Sequence, residues 1–208
     1  MQHTKIKICG IKDIFTAEYC IQNGVNYLGF NFSPKSIRSI SIEDADKIIS
    51  SLHSIGIPES SVMVALFFET DPTTIDTVIH SGLFSLYQYV LHDSHFNRKK
   101  YPLNTKFLPQ IGVNHELTYD TIGVDDDIII LDKYSSNSGG GTGETFLWNH
   151  IQNIKKKYLL AGGLNPENVS KAIETLNPYG VDVASGVESE KGIKDLKKIK
   201  RFIENVRR

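Results

Sequence analysis

The sequence contains little of what marks several specialised classes of protein. Its 208 residues include only two cysteines, Cys9 and Cys20, which cannot form a disulfide framework and suggest a reducing compartment. No apolar run approaches the roughly 20 residues that a membrane span needs. The first residues, MQHTKIKICG, lack the apolar stretch of a secretory signal. We therefore expect a protein of the cytoplasm that does not cross a membrane.

The sequence also has no excess of positive or negative charge. The chain has 23 Lys and Arg against 24 Asp and Glu, a net charge of -1. This balance provides no electrostatic footprint for nucleic acid or for an anionic membrane surface. The sequence also lacks the GxxxxGK[ST] pattern of nucleoside triphosphate hydrolases and any His, Cys and carboxylate spacing suited to zinc. We expect no metal ion and no nucleic-acid partner.

Short apolar runs alternate with amphipathic segments along the whole chain. This alternation indicates βαβ units and a parallel sheet. Eight units fit a single-domain (β/α)8 barrel over residues 1–208, at the small end of that fold's size range, and a doubly wound open sheet is the alternative. The predicted strands are Lys5–Ile8, Tyr27–Phe32, Val62–Phe68, Leu86–Leu91, Lys106–Ile111, Ile128–Leu131, Tyr158–Leu160 and Val181–Ala184.

Several helix starts are recognisable between these strands. Asp13, Ser41 and Pro72 precede or open amphipathic segments, and Pro166 is predicted at the first position of a helix that ends near Asn177. The last helix carries Leu196, Ile199, Ile203 and Val206 on one side, and we interpret its basic side as a solvated face. The weakest predicted helices are His95–Lys100 and His115–Tyr119.

The carboxyl ends of barrel strands carry the active site in this fold. The predicted strands are followed there by Cys9, Arg38, His92 and Asp132, and by three glycine-rich turns. Glycines after strands seven and eight allow backbone N–H groups to approach an anion closely, which suits a phosphate. Taken singly, each residue also has a structural explanation: Cys9 alone is more often a small buried apolar side chain than a reactive one.

The chain resembles the phosphoribosylanthranilate isomerase family of tryptophan biosynthesis. The matching stretches run from the first strand to the last, and the combination of KICG, GGTG, AGGL and SGVE is specific to that family. They are KICGIKD (Lys7–Asp13), YLGFNF (Tyr27–Phe32), KSIRSIS (Lys35–Ser41), LD (Leu131–Asp132), GGTGETFLW (Gly140–Trp148), LLAGGLNPENV (Leu159–Val169) and GVDVASGVESEKGIKD (Gly180–Asp195).

The resemblance implies roles for individual residues. It makes Cys9 the catalytic base and Asp132 the catalytic acid of an Amadori rearrangement of N-(5-phosphoribosyl)anthranilate, a reaction that needs no cofactor. It assigns Arg38 to the anthranilate part of the substrate, and Asp182 a supporting role. The remaining substrate-binding residues that it implies, several of them at the phosphate, are His92, Gly140, Gly141, Gly162, Gly163, Ser185 and Gly186.

Three departures from the family pattern concern the substrate pocket. Ile37 replaces a proline before Arg38, Val90–Asp93 replaces a QLHG segment, and Ala184 replaces the first of two serines. Two other functions stay open. One is the related isomerase of histidine biosynthesis, which uses two aspartates and two phosphate sites, and the other is a barrel that binds a phosphorylated ligand without catalysis. Monomer and homodimer are both compatible with the sequence.

Overall fold

Eight parallel strands form a closed barrel. The computed structural model describes residues 4–58, 60–114, 123–133, 148–151 and 154–208. The strands pair in sequence order, and β8 pairs with β1 to close the barrel. They are β1 (Lys5–Cys9), β2 (Tyr27–Asn31), β3 (Val62–Phe67), β4 (Leu86–Val90), β5 (Phe107–Val113), β6 (Ile128–Lys133), β7 (Lys157–Leu160) and β8 (Gly180–Val183). The sequence prediction of a (β/α)8 barrel is confirmed, and the open sheet is excluded.

Five α-helices lie among the described residues. Their starts follow from side-chain caps: Asp13 accepts a hydrogen bond from Thr16 N at 2.8 Å, and Ser41 accepts one from Asp44 N at 3.1 Å. A short hairpin that the sequence pattern does not predict follows β8, and its strands are β9 (Glu188–Glu190) and β10 (Ile193–Lys194). The helices are α1 (Ile14–Gln22), α2 (Ile42–Ile55), α3 (Pro72–His80), α4 (Val169–Leu176) and α5 (Leu196–Val206).

Two predicted helix positions are wrong. The helix after β7 begins at Val169 rather than Pro166, because Asn165 Oδ1 accepts hydrogen bonds from the backbone N–H groups of Glu167 and Asn168 and closes a separate turn. The predicted helix His95–Lys100 is only a 3₁₀ turn over Arg98–Lys100.

Aromatic packing takes the place of a helix after β4. Phe96 stacks on Tyr89 with ring centroids 4.4 Å apart and meets Phe107 edge-on at 5.5 Å, so that this loop covers the outer face of β4 and β5. The predicted helix His115–Tyr119 lies outside the described residues.

The interior of the barrel changes character from its amino end to its carboxyl end. Alternate residues of each strand point inward. Deep positions are apolar and form their own cluster, which contains Tyr27, Val64, Leu108, Ile130, Leu159 and Ala161. The next inward positions are buried but polar: Lys7, Asn31, Gln88, Gln110, Asp132 and Asp182. The apolar layer supports the barrel, and the polar layer forms the floor of a site at the carboxyl ends.

A larger apolar core fills the space between the strands and the helices. Phe202 of α5 is fully buried there, and Phe30 and Phe67 lie in the same layer. In the parts of the chain that the structure describes, no helix is long and apolar enough to cross a membrane.

Candidate active site

A cavity opens at the carboxyl ends of the strands and collects most of the predicted site residues. Cys9, Arg38, Asp132, Asp182 and Ser185 line it, together with Gly162 and Gly163. Within the described ranges, no group of three or more His, Cys, Asp and Glu side chains is arranged to hold a metal ion. The charged side chains of the lining are Arg38, Asp132 and Asp182, and its amide side chains are Asn31, Gln88 and Gln110.

Cys9 is the last residue of β1, and its side chain is 8% exposed. Gly29 on β2 leaves room for the sulfur, since a Cβ at residue 29 would lie 2.9 Å from Cys9 Sγ. Three cationic side chains, those of Lys7, Arg38 and Lys194, interact electrostatically with Cys9. Reactive cysteines lie in electropositive, partly accessible surroundings of this kind. This environment differs from that of a purely structural cysteine.

Asp132 lies near the end of β6 and is 6% exposed. Its Oδ1 accepts a hydrogen bond from Lys133 N at 2.7 Å, and its Oδ2 accepts one from Gln110 Nε2 at 2.8 Å. Burial raises the pKa of Asp132 to about 7, and the charge of Asp182 acts in the same direction, whereas the Lys133 amide and Lys7 oppose the shift. A carboxyl with this pKa is partly protonated at neutral pH and can donate a proton.

A buried ion pair lies beside the acid and the thiol. Lys7 Nζ, which has no exposed surface, lies 3.0 and 2.9 Å from the two carboxylate oxygens of Asp182. Burial disfavours the charged ammonium, but the Asp182 carboxylate outweighs it, so the pKa of Lys7 is raised. The sequence motifs indicate a role for Asp182 but not for Lys7. Its signal was a charged residue at an inward position of the apolar strand KIKIC.

Arg38 lines the cavity and forms an ion pair with Glu188. Its Nε and Nη2 donate hydrogen bonds to Glu188 Oε1 and Oε2 at 2.7 and 2.8 Å. Glu188 also accepts from Lys194 Nζ at 2.9 Å and from Gly192 N at 3.0 Å. Burial opposes ionisation of Glu188, yet the bonds from Arg38 and Lys194 lower its pKa to about 2. The SGVE motif contains Glu188 but indicates no role for it.

Two glycine turns form a concave backbone surface after β7 and β8. Gly162 and Gly163 have φ angles of 84° and 69°, which favour glycine, and their N–H groups donate to no other residue that the structure describes. Asn168 Nδ2 holds the turn through Gly163 O at 2.9 Å. Gly186 packs so closely on this turn that a Cβ there would lie 1.9 Å from Leu164 O. Such exposed amides are suited to an anion.

His92 is not among the described residues that line the cavity, and its contact with substrate stays a prediction. The residue is exposed, with a φ of 70°. The neighbouring Asp93 explains this, because its carboxylate accepts hydrogen bonds from Glu69 N at 2.8 Å and His95 N at 3.0 Å and ties down the turn. Gly140 and Gly141, with the GGTG segment, lie outside the described residues.

The fold and the site together define an enzyme of the (β/α)8-barrel class that works by acid–base chemistry. The model of the family "N-(5'phosphoribosyl)anthranilate (PRA) isomerase" matches residues 6–205, and the chain belongs to that family. The N-(5'-phosphoribosyl)anthranilate isomerase of Leptospira borgpetersenii is 46% identical over 99% of this chain and 96% of the relative. That of Aquifex aeolicus is 37% identical over 98% of both chains.

Solved structures agree with this assignment. The crystal structure of phosphoribosyl anthranilate isomerase from Thermotoga maritima superimposes with a TM-score of 0.83 at 32% identity over 98% of both chains. A second structure, of the enzyme in complex with reduced 1-(o-carboxyphenylamino)-1-deoxyribulose 5-phosphate, gives a TM-score of 0.79 at 31% identity over 98% of both chains. The family resemblance predicted from the motifs is therefore confirmed.

Proposed function

We propose that the protein converts N-(5-phosphoribosyl)anthranilate to 1-(2-carboxyphenylamino)-1-deoxyribulose 5-phosphate in tryptophan biosynthesis, in the cytoplasm and without a cofactor. Family membership supports the substrate. The observation that carries the chemistry is the pairing, at one cavity, of a thiol with a carboxyl whose pKa is raised to about 7. The reaction needs one base and one acid, and these two groups fit those roles.

The proposed steps conserve all atoms. Asp132 donates a proton to the furanose ring oxygen, the C1–O bond breaks, and an iminium forms between C1 and nitrogen. The Cys9 thiolate removes the proton from C2, and the electron pair of that bond forms the C1–C2 double bond of an enolamine. Gain of a proton at C1 and loss of one from the C2 hydroxyl give the ketone, and both side chains return to their starting states.

The strand order places the proposed acid and the proposed base on different sides of the phosphate site. Along the shorter way round the barrel, β7 and β8 separate the acid on β6 from the base on β1. The glycine turns after β7 and β8 lie between them, and we assign the substrate phosphate to those turns, where Gly162, Gly163, Ser185 and Gly186 present backbone amides. Anchoring the phosphate orients the sugar between the two side chains.

Arg38 is proposed to bind the anthranilate carboxylate through its remaining edge. Glu188 occupies the Nε–Nη2 edge, and Nη1 donates to no side chain or carbonyl in the described part of the chain. The Nη1–Nη2 edge can therefore bind a second carboxylate with two parallel hydrogen bonds. A lysine could not serve Glu188 and a ligand in this way.

A turnover assay with purified protein tests the proposal. Substrate is generated in situ, and its disappearance is followed for the unaltered protein and for Asp132→Asn. We expect turnover that falls at least 100-fold in the variant. Turnover of the corresponding histidine-pathway intermediate in place of this substrate would establish the first alternative function. Binding of a product analogue without turnover at any pH would establish a non-catalytic barrel.

A further inference from the structure

Two glutamines connect the carboxyl of Asp132 to the neighbouring strands. Gln110 on β5 donates from Nε2 to Asp132 Oδ2 at 2.8 Å, and Gln110 Oε1 accepts from Gln88 Nε2 on β4 at 2.7 Å. Both glutamines are at most 5% exposed and line the cavity. Each hydrogen bond joins two residues that are 22 positions apart in the sequence and that point inward from neighbouring strands. The three side chains form a continuous buried row across β4, β5 and β6.

The direction of this row follows from the chemistry of its groups. An ionised carboxylate only accepts hydrogen bonds, so the Gln110 atom that faces Asp132 is the amide nitrogen. The Gln110 oxygen then faces β4, where the amide nitrogen of Gln88 donates to it. With the acid ionised, the bond from Gln88 thus holds the Gln110 amide with its nitrogen towards Asp132.

We propose that Gln110, oriented by Gln88, is a positioning residue for the catalytic acid. Together with Lys133 N, it fixes both oxygens of the Asp132 carboxyl and so the plane in which the proton is presented to the cavity. A general acid is effective only when its proton points at the reacting atom. The inference rests on the proposed function of Asp132 and extends it to two residues that do not themselves transfer the proton.

The pair also fits the protonated state of the acid. Gln88 Oε1 is buried and has no hydrogen-bond partner among the described residues. When the proton is on Asp132 Oδ2, a Gln110 amide rotated by half a turn accepts it through Oε1. Gln110 Nε2 then donates to Gln88 Oε1, which a matching rotation of the Gln88 amide turns towards β5. The two amides therefore supply a donor to the ionised acid and an acceptor to the protonated acid.

Groups other than Gln110 also affect the pKa of Asp132. Asp182 on β8 raises the pKa of Asp132, and Lys7 on β1 and the Lys133 amide on β6 lower it, while burial has the largest effect and raises it. A hydrogen bond donated to the carboxylate favours the ionised form. Removal of the Gln110 amide is therefore expected to move the pKa of Asp132 further upward.

The test replaces each glutamine by methionine, which has a similar length and no amide. Gln110→Met is expected to lower kcat 10- to 100-fold with less than a twofold change in KM, and to shift the alkaline limb of the pH–kcat profile upward. Gln88→Met is expected to lower kcat and to shift the alkaline limb upward as well, but to a smaller extent. Gln110 keeps its amide in this variant and loses only the bond that orients it. Gln22→Met, at an exposed position on α1, is the matched control and changes neither quantity.

A second measurement does not depend on turnover. The pKa of the Asp132 carboxyl is read by carbon-13 NMR in the free protein, with the signal assigned from Asp132→Asn, and is expected to rise in Gln110→Met. An unchanged kcat and an unchanged pKa in a folded variant would overturn the proposal. A raised KM at unchanged kcat would also overturn it and make Gln110 a substrate contact. If the unaltered protein fails to turn over its substrate while the NMR shift appears, the proposed function fails instead.

Discussion

At the scale of single residues, the two cysteines provide a matched pair. Both are buried, but Cys9 lines the cavity among cationic groups, whereas Cys20 lies within α1, where burial raises the pKa of its thiol to about 12. Cys9→Ser is expected to cost at least 100-fold in kcat, about 3 kcal/mol of transition-state stabilisation, because a serine hydroxyl is hardly ionised near pH 7.

Cys20→Ser serves as the control for this prediction. It places a hydroxyl in an apolar core and is expected to lower the melting temperature while kcat stays the same. Measuring kcat and melting temperature for both variants separates the two roles. A Cys9→Ser protein that melts early but turns over normally would remove Cys9 from the mechanism.

Asp132 makes a prediction about stability and pH. Its folded-state pKa of about 7 lies above the unfolded value near 3.9, so the folded state binds the proton more tightly. Stability is therefore lost as the pH rises from about 4 to 7, on the order of 4 kcal/mol at most. Asp132→Asn removes this loss of stability. Its melting temperature is therefore expected to be higher than that of the unaltered protein at pH 8, and the difference is expected to disappear at pH 4. Equal melting curves at both pH values would contradict the raised pKa.

At the scale of elements, the β9–β10 hairpin holds the loop that carries Arg38. Glu188 is the shared acceptor for Arg38 and Lys194, and all three side chains are largely buried. Glu188→Ala leaves two cations without their carboxylate, which is expected to cost about 3–5 kcal/mol in the free energy of unfolding and to raise KM. Glu204→Ala removes an exposed partner of Lys200 and is expected to cost less than about 0.5 kcal/mol. A similar loss of unfolding free energy in both variants would show that the buried contacts of Glu188 stabilise the protein no more than an exposed ion pair does.

The glycine turns allow a second test at this scale. Gly186→Ala forces Cβ against Leu164 O and is expected to raise KM for the phosphorylated substrate, since the turns after β7 and β8 must move apart. Gly82→Ala is the control for general destabilisation: its φ of 73° strains an alanine, yet nothing lies within 4 Å of the added carbon. Steady-state KM and melting temperature are compared for both. An unchanged KM in a folded Gly186→Ala protein would indicate that the phosphate binds elsewhere.

The strands could be predicted because each is a short apolar run with turn residues at its ends, and all eight lie within two residues of their predicted bounds. Cys9 and Asp132 could be singled out because each lies at a strand end, and their catalytic roles stay predictions. The partners of the site residues could not be found this way. Pairs such as Lys7 with Asp182 and Arg38 with Glu188 join residues 175 and 150 positions apart, and their contact depends on barrel closure and on the hairpin. The position of His92 could not be predicted, because its turn depends on a contact of Asp93 with Glu69, 24 residues earlier in the chain.

At the scale of the whole molecule, stability and catalysis belong to different layers. The apolar layer between strands and helices contains Phe202, which is fully buried, while Phe15 on α1 is 75% exposed. Phe202→Ala is expected to cost about 3–5 kcal/mol in the free energy of unfolding, and Phe15→Ala close to nothing. Below the melting temperature, kcat/KM is expected to stay the same in both, because neither side chain reaches the cavity. Denaturant unfolding and kinetics check this, and a large loss of kcat/KM in folded Phe202→Ala would contradict it.

The pairing of β1 with β8 has a consequence for how the molecule acquires its activity. This seam joins the two strands that are farthest apart in the chain, and the Lys7–Asp182 ion pair crosses it. Bringing such distant segments together carries a large loop-closure entropy, so it belongs to the latest steps of folding. Until that step, Cys9 has no cationic neighbour from the far end of the chain, and Lys7 lacks its Asp182 partner. A chain whose eight strands are paired everywhere except at this seam is therefore expected to be inactive, and the regain of activity during refolding would report the closure of the barrel.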